Sequence, residues 1–245
     1  MRIWSKTKAF GEEYVQICKK YNYISPKEHY RRFLKNTIDK NTIWLDAGCG
    51  WNITFTPKLD KELVKRAKYV CGVDTDKTIY NHKSIKNLIV ARLEKIPLKD
   101  EKFNLITCNF VVEHLVNPSE VFNEFNRLLK KNGKLVITTP NSLAYDTLLT
   151  RLTSTKLHKK IKKIIWERPE EDTFTTKYKA NTPFKLKKLL SEAGFEEEKI
   201  QMLHSSDLFT FSKSLFVSSI ILNKIFDLGF LKYFKPNIFA IYKKL

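Results

Sequence analysis

Eight residues, Ile43-Trp44-Leu45-Asp46-Ala47-Gly48-Cys49-Gly50, constrain this chain more than any others. An apolar run of strand length ends in a carboxylate and two glycines spaced by one. Glycines at the carboxyl end of a parallel strand let backbone approach a ligand closely, at the place where open α/β sheets bind ligands. Val70-Cys71-Gly72-Val73-Asp74 repeats the pattern, a second apolar strand closing on a carboxylate. Its distance from the first, about 20 residues, is the one at which an acidic side chain accepts hydrogen bonds from ribose hydroxyls.

The surrounding sequence has the alternation that such a site requires. Strand candidates are Ile43–Leu45, Tyr69–Val73, Leu88–Ala91, Leu105–Cys108 and Lys134–Thr138, with two more at Lys199–Leu203 and Asn237–Tyr242. Amphipathic segments separate most of them, which predicts a doubly wound α/β domain with a mostly parallel sheet of seven strands. Residues 1–40, helical from about Lys6 to Ile38, read as an N-terminal helical cap, and 41–245 as the main domain. Asn117-Pro118 opens one helix, which is expected to stop at Asn132-Gly133; Thr182-Pro183 opens another that closes at Gly194. A long insertion follows the fifth strand over residues 142–181, with a basic amphipathic stretch (Leu148–Trp166) and an acidic turn, ERPEED. Connections of this length are functional or carry their own structure. A further helix is expected across Leu215–Leu231.

A nicotinamide dinucleotide is the first rival for the glycine loop. Its fingerprint needs a third glycine where Ile53 stands, and Asp46 would repel a pyrophosphate. A carboxylate there suits the amino group of a zwitterionic amino acid instead.

LDAGCG, GVD, LEKIPLKDEKFNLITCNFVVEHLVNP and NGKLVITTPN, in that order over about residues 40 to 142, resemble the successive motifs of class I S-adenosylmethionine-dependent methyltransferases. The small-molecule branch, with quinone-biosynthesis O-methyltransferases and polysaccharide-cluster methyltransferases, is the most similar. The resemblance implies the Rossmann-like methyltransferase fold, S-adenosylmethionine as cofactor and a role for each matched position. Asp46, Gly48 and Gly50 would hold the methionine end, and Asp74 the ribose hydroxyls. Leu93 would offer backbone to the adenine, and Asn109 would line the approach to the sulfonium. Three positions depart from the pattern. Arg92 replaces an acidic residue near the adenine, Asn104 replaces an Asp, and Lys131-Asn132-Gly133 replaces a Pro-Gly-Gly turn.

Methyl transfer from a sulfonium is an in-line displacement, so alignment carries much of the catalysis. A hydroxyl acceptor also needs its proton removed, and Glu113-His114, just past the fourth strand, is the candidate pair. Glu113 is equally well placed to stabilise a helix start, and His114 to bond backbone there. In quinone-type relatives a metal is proposed beside this pair. The further acidic ligand expected there corresponds to Phe110, so no metal is predicted. Tyr178-Lys179-Ala180-Asn181 either reaches over the acceptor or organises the next helix.

The formal net charge of +19 raises the question of partners. Phosphate attracts such a chain, whether in nucleic acid or in anionic lipid headgroups, but dispersed lysines also serve solubility alone. Base N-methylation uses an Asn/Asp-Pro-Pro-aromatic loop, and this chain has Asn109-Phe110-Val111-Val112. The expected acceptor is therefore a small molecule, glycan or lipid-linked intermediate, with RNA ribose methylation left open. The basic stretch and the Leu215–Leu231 segment allow weak contact with an anionic membrane surface, and leave open a membrane-surface binding protein that keeps the fold without the catalysis. The 4 cysteines show no metal-ligand spacing, and the opening MRIWSKTKAFGEEY lacks an apolar central run. Together these predict a reduced, cytoplasmic setting, with a peripheral place at the inner membrane surface as a variant of it.

Overall fold

The computed structural model describes residues 11–145, 147, 175–206, 209–210 and 212–245. The basic stretch Leu148–Trp166 and the acidic turn after it lie outside the described residues. In chain order the elements are α1 (Gly11–Lys20), α2 (Pro26–Thr37), β1 (Ile43–Ala47), α3 (Pro57–Arg66), β2 (Tyr69–Asp74) and β3 (Asn87–Val90). Then come β4 (Phe103–Asn109), α4 (Pro118–Leu128), β5 (Leu129–Pro140), α5 (Pro183–Glu192), β6 (Phe195–Leu203), α6 (Lys213–Ile225) and β7 (Asn237–Lys244).

The seven strands form one sheet in the order β3-β2-β1-β4-β5-β7-β6. Pairings β1–β2, β1–β4, β2–β3 and β4–β5 are parallel. β7 runs the other way: Leu245 N–H donates to Gly194 O at 3.2 Å, and Lys244 Nζ to Leu129 O at 2.8 Å. Its end thus lies beside the starts of β5 and β6. The order reverses between β1 and β4, and the carboxyl ends of the strands at such a switch point are where open α/β sheets bind ligands. Asp46, Gly48, Gly50 and Asn109 all fall there.

Parallel strands covered on both faces read as continuous apolar runs, and in β1 every residue from Trp44 to Ala47 is buried. α4 supplies part of the cover through Val121, Phe122, Phe125 and Leu128, one stripe at helical spacing. Each such side chain contributes about 1.5–3 kcal/mol on burial. α5 begins as expected: Pro183 is in its first turn, and the Thr182 hydroxyl accepts from Lys185 N–H at 3.1 Å.

Three boundaries differ from the sequence expectation. α4 stops at Leu128, well before Asn132-Gly133, because Leu129 already pairs with Phe103 of β4. The Asn-Gly pair instead turns within β5, with Asn132 at φ 63°, and the β4–β5 register shifts there. Asn117 occupies the N-cap position of α4, but its side chain makes no capping bond. The single helix expected over Leu215–Leu231 is α6 followed by a separate 3₁₀ segment, Gly229–Phe234.

The chain divides into two compact units. One holds most of the sheet: Lys27–Pro140, Thr176–Gln201 and Ile238–Leu245. The other comprises Met1–Pro26, Asn141–Thr175 and Met202–Asn237, and its core is Ile17, Tyr23, Phe216 and Ile220. Tyr14 stacks on Phe216 at 5.2 Å, and Tyr23 meets the same ring edge-on at 5.6 Å.

Candidate active site

The glycine loop is a turn fastened to β2. Gly48 N–H donates to Val73 O at 2.7 Å, Cys49 N–H to the same oxygen at 3.2 Å, and Gly50 N–H to Asp74 Oδ2 at 3.1 Å. Gly48 and Gly50 have φ of 73° and 48°, the left-handed region that glycine enters without penalty. Steric demand separates them. A Cβ on Gly48 would stand 2.2 Å from Val111 Cγ2, whereas one on Gly50 would meet nothing within 4 Å. Gly48 is therefore fixed by a neighbour, and Gly50 faces open space.

Two carboxylates bracket this loop in different ways. Asp74 accepts from Gly50 N–H on one oxygen and from Asp76 N–H on the other, and remains partly exposed. A carboxylate offers about four lone-pair sites, so capacity for ribose hydroxyls remains. Asp46 is buried, with one oxygen held by the Thr107 hydroxyl at 2.6 Å. Trp44 Nε1–H donates to that same Thr107 oxygen at 2.7 Å, which directs the hydroxyl proton onto Asp46. Burial pushes the Asp46 carboxyl up to about 7, the nearby Asp60 and Asp74 charges add to this, and the Thr107 bond offsets part of it. A cation beside Asp46 would restore the charged form.

Beyond the glycines, Asp60 of α3 receives Ile53 N–H at 3.2 Å, Thr54 N–H at 3.0 Å and the Thr54 hydroxyl. It fixes the segment where the dinucleotide fingerprint would have its third glycine. Past β3, Ala91 N–H donates to Asp74 O at 3.0 Å, and Leu93 is buried. Arg92, one of the departures from the family pattern, is exposed and pairs with Glu94 at 3.1 Å. Arg127 holds the stretch that follows, reaching Leu98 O at 2.8 Å and Ile96 O at 3.1 Å. Asn104 accepts from Ile43 N–H and donates to Asn41 O, stitching β4 to β1.

At the end of β4 the chain turns sharply. Phe110 takes φ 56°, its N–H donates to Thr138 O at 2.7 Å, and Val111 then packs on Gly48. A single 3₁₀ turn, Val112–His114, follows. Glu113 is 4% exposed and His114 half-buried. Burial raises the Glu113 carboxyl to about 7, against the pull of its own backbone N–H and of the Thr139 hydroxyl, which donates to Oε2 at 3.0 Å. Asn181 Nδ2 donates in turn to Thr139 Oγ1 at 2.6 Å and to Pro140 O at 3.2 Å. Lys177 and Tyr178 N–H groups both reach Glu113 O, at 2.6 and 3.2 Å.

Three side-chain oxygens in this region, Asn109 Oδ1, Thr138 Oγ1 and Asn181 Oδ1, are buried and meet no partner among the described residues. Such an atom costs about 1–3 kcal/mol when left unsatisfied, and native proteins rarely leave one without a reason. The structure thus gathers Asp46, Gly48, Gly50 and Asp74 around one loop, and Glu113 and Asn109 at the next strand ends. Thr107 and Asp60 were missed by sequence reasoning, since a lone Thr in a strand or Asp in a first helical turn carries no motif.

Comparison with known proteins agrees with this geometry. The family model described as methyltransferase domain matches residues 14–200. An uncharacterised protein of Methanocaldococcus jannaschii is 39% identical over 69 residues, 27% of this chain and 33% of its own length. A ubiquinone biosynthesis O-methyltransferase of Coxiella burnetii is 29% identical over 105 residues, 40% of this chain and 43% of its own. The chain thus spans less than half the length of these relatives. An S-adenosylmethionine-dependent methyltransferase structure from Mesorhizobium loti matches with a TM-score of 0.57 at 14% identity, covering 89% of this chain and 97% of that one. At that identity the likeness concerns the fold alone. With the family model matching most of the chain, and the strand order and glycine cradle described above, this chain belongs to the class I S-adenosylmethionine-dependent methyltransferases.

Proposed function

We propose that the chain transfers a methyl group from S-adenosylmethionine to a hydroxyl of a small-molecule, glycan or lipid-linked acceptor. The observation that carries this reading is the packing of Val111 on Gly48, two residues before Glu113. It brings the turn that carries the buried Glu113 against the loop suited to the donor.

The residues fit the donor. Open space over Gly50, a buried carboxyl at Asp46 in need of a cation, and a partly exposed one at Asp74 match a cationic amino-acid end and a ribose. In this reading Asp46, Gly48 and Gly50 hold the methionine end and Asp74 the ribose hydroxyls. Leu93 backs the adenine, and the oxygen of Asn109 faces the approach to the sulfonium. The bound donor supplies an electrophilic methyl group. The protein's part is to align the acceptor and to take up its proton, and a carboxyl near 7 is tuned for that exchange at neutral pH. Glu113 and His114 are the proposed pair. The Coxiella burnetii relative, named for O-methylation, supports a hydroxyl acceptor.

Incubation with methyl-labelled donor and fractionated cell extract tests the reading. Label is expected in a small-molecule, glycan or lipid fraction, and label confined to RNA overturns it. His114→Ala and Glu113→Gln should each leave donor binding intact and slow turnover by about 10²–10⁴-fold.

A peripheral membrane contact has one observation in its favour. Leu215, Ile221, Leu222, Ile225, Leu228 and Phe230, on α6 and just beyond it, are all exposed, with Lys224 and Lys232 among them. No helix among the described residues is long and apolar enough to cross a membrane. Co-sedimentation with vesicles containing phosphatidylglycerol, but not with pure phosphatidylcholine vesicles, is the expected result for such a face.

A further inference from the structure

The side chain of Asn181 has an orientation that its neighbours dictate. Both of its amide hydrogens are spent, on Thr139 Oγ1 and on the Pro140 carbonyl. The opposite orientation would set the amide oxygen against that carbonyl, which has nothing to donate. Thr139 in turn has one proton, and it goes to Glu113 Oε2. The relay therefore has a single sense, from amide to hydroxyl to carboxyl, and it leaves Asn181 Oδ1 as an acceptor without a donor. Asn181 is fully buried, so bulk water does not serve it.

Asn109 Oδ1 and the Thr138 hydroxyl, paired in register, are also unpartnered among the described residues, but on the face of β5 opposite to Thr139. Glu113 adds a carboxyl at the same strand ends. The Asn181 oxygen and the Glu113 carboxyl, joined through Thr139, are two acceptors that select a ligand by what it donates, and they disfavour one that presents a carboxylate or phosphate there.

From this we infer that Asn181 is a specificity-determining residue whose side-chain oxygen accepts a hydrogen bond from an O–H or N–H of the methyl acceptor, beside the Glu113 carboxyl that Thr139 holds in place. This rests on the methyl-transfer reading and narrows its acceptor to molecules that present more than one donor at the reacting end, such as neighbouring hydroxyls.

The test uses small probes on the full chain loaded with S-adenosylhomocysteine: catechol with two donors, guaiacol with one, and 1,2-dimethoxybenzene with none. Ligand-observed NMR on wild-type protein should rank them in that order, with at least about tenfold between the first and the last. Asn181→Leu should erase the ranking while S-adenosylhomocysteine affinity, read by calorimetry, stays unchanged. Asn181→Ser, a smaller and still polar change, serves if the leucine variant does not fold. Thr139→Val should raise the Glu113 titration midpoint, followed through labelled glutamate carboxyl carbons, which a purely structural Thr139 would not do. A ranking that survives in both Asn181 variants overturns the proposal, as does a wild-type protein that does not discriminate or binds none of the probes. In that event the Asn181 oxygen serves an internal water only. Loss of S-adenosylhomocysteine binding in wild-type protein would instead sink the methyl-transfer reading itself.

Discussion

Binding of S-adenosylhomocysteine, which carries the donor's amino-acid end without its methyl group, is expected to weaken as pH falls through neutrality. In the free protein burial holds the Asp46 carboxyl at about 7. An ammonium about 4 Å away at an effective dielectric constant of about 20 interacts with a carboxylate by about 4 kcal/mol. At about 1.4 kcal/mol per pKa unit, that lowers the bound-state value by about three units, to roughly 4. Because the protonated acid must lose its proton to make the pair, affinity falls as pH drops between those two values. The dissociation constant at about pH 5 should then be roughly 70-fold weaker than at about pH 7.5. Calorimetry in two buffers of different ionisation enthalpy should also register close to one proton released per binding event near pH 6. Asp46→Asn should flatten the profile, while Glu113→Gln, which removes the other carboxyl near 7, should leave it in place. A constant affinity in wild-type protein, or an unchanged slope in Asp46→Asn, refutes the assignment of Asp46 to the amino group.

The same two carboxyls set the pH dependence of folding. Asp46 and Glu113 rise from ordinary values near 3.8 and 4.5 to about 7, so the folded state holds protons that the unfolded state has already lost. Stability is therefore greatest below about pH 4 for these groups and declines up to about pH 7, by several kcal/mol in all. Chemical denaturation of the ligand-free protein at several pH values should show that decline, and Asp46→Asn combined with Glu113→Gln should remove most of it. The two loop glycines should part company on substitution. Gly48→Ala must displace Val111 and hold a positive φ, so thermal stability and S-adenosylhomocysteine binding should both fall. Gly50→Ala bears only the conformational cost, about 1–2 kcal/mol, so its main loss should be in binding.

The layer order and the ligand end of the sheet were legible because buried parallel strands leave continuous apolar runs and their turns leave glycines. Boundaries were less so. Asn132-Gly133 satisfies the grammar of a helix end, yet β-pairing of Leu129 with Phe103 takes over earlier and converts the same dipeptide into a turn within a strand. Asn117 sits at a cap position and does not cap, since residue type limits what a side chain can do without fixing what it does. Asp46, Gly48 and Gly50 fall in one contiguous motif, and the structure sets them together at the end of β1. The place of Thr107 was not legible, nor was the way Asn181 connects through Thr139 to Glu113, because these bonds depend on partners 26 to 63 residues away and on which atom donates. No local spacing encodes that.

The contact between Val111 and Gly48 makes two distant stretches of sequence one heritable unit. Any side chain larger than hydrogen at position 48 demands a smaller one at position 111, and the backbone that carries Glu113 follows. Grafting the glycine loop onto a related scaffold without residues 110–114 should therefore yield a poor enzyme, and variation within the family should couple these positions. Drift in acceptor preference is freer at residues 177–181, which reach Glu113 and Thr139 through hydrogen bonds and leave the loop untouched.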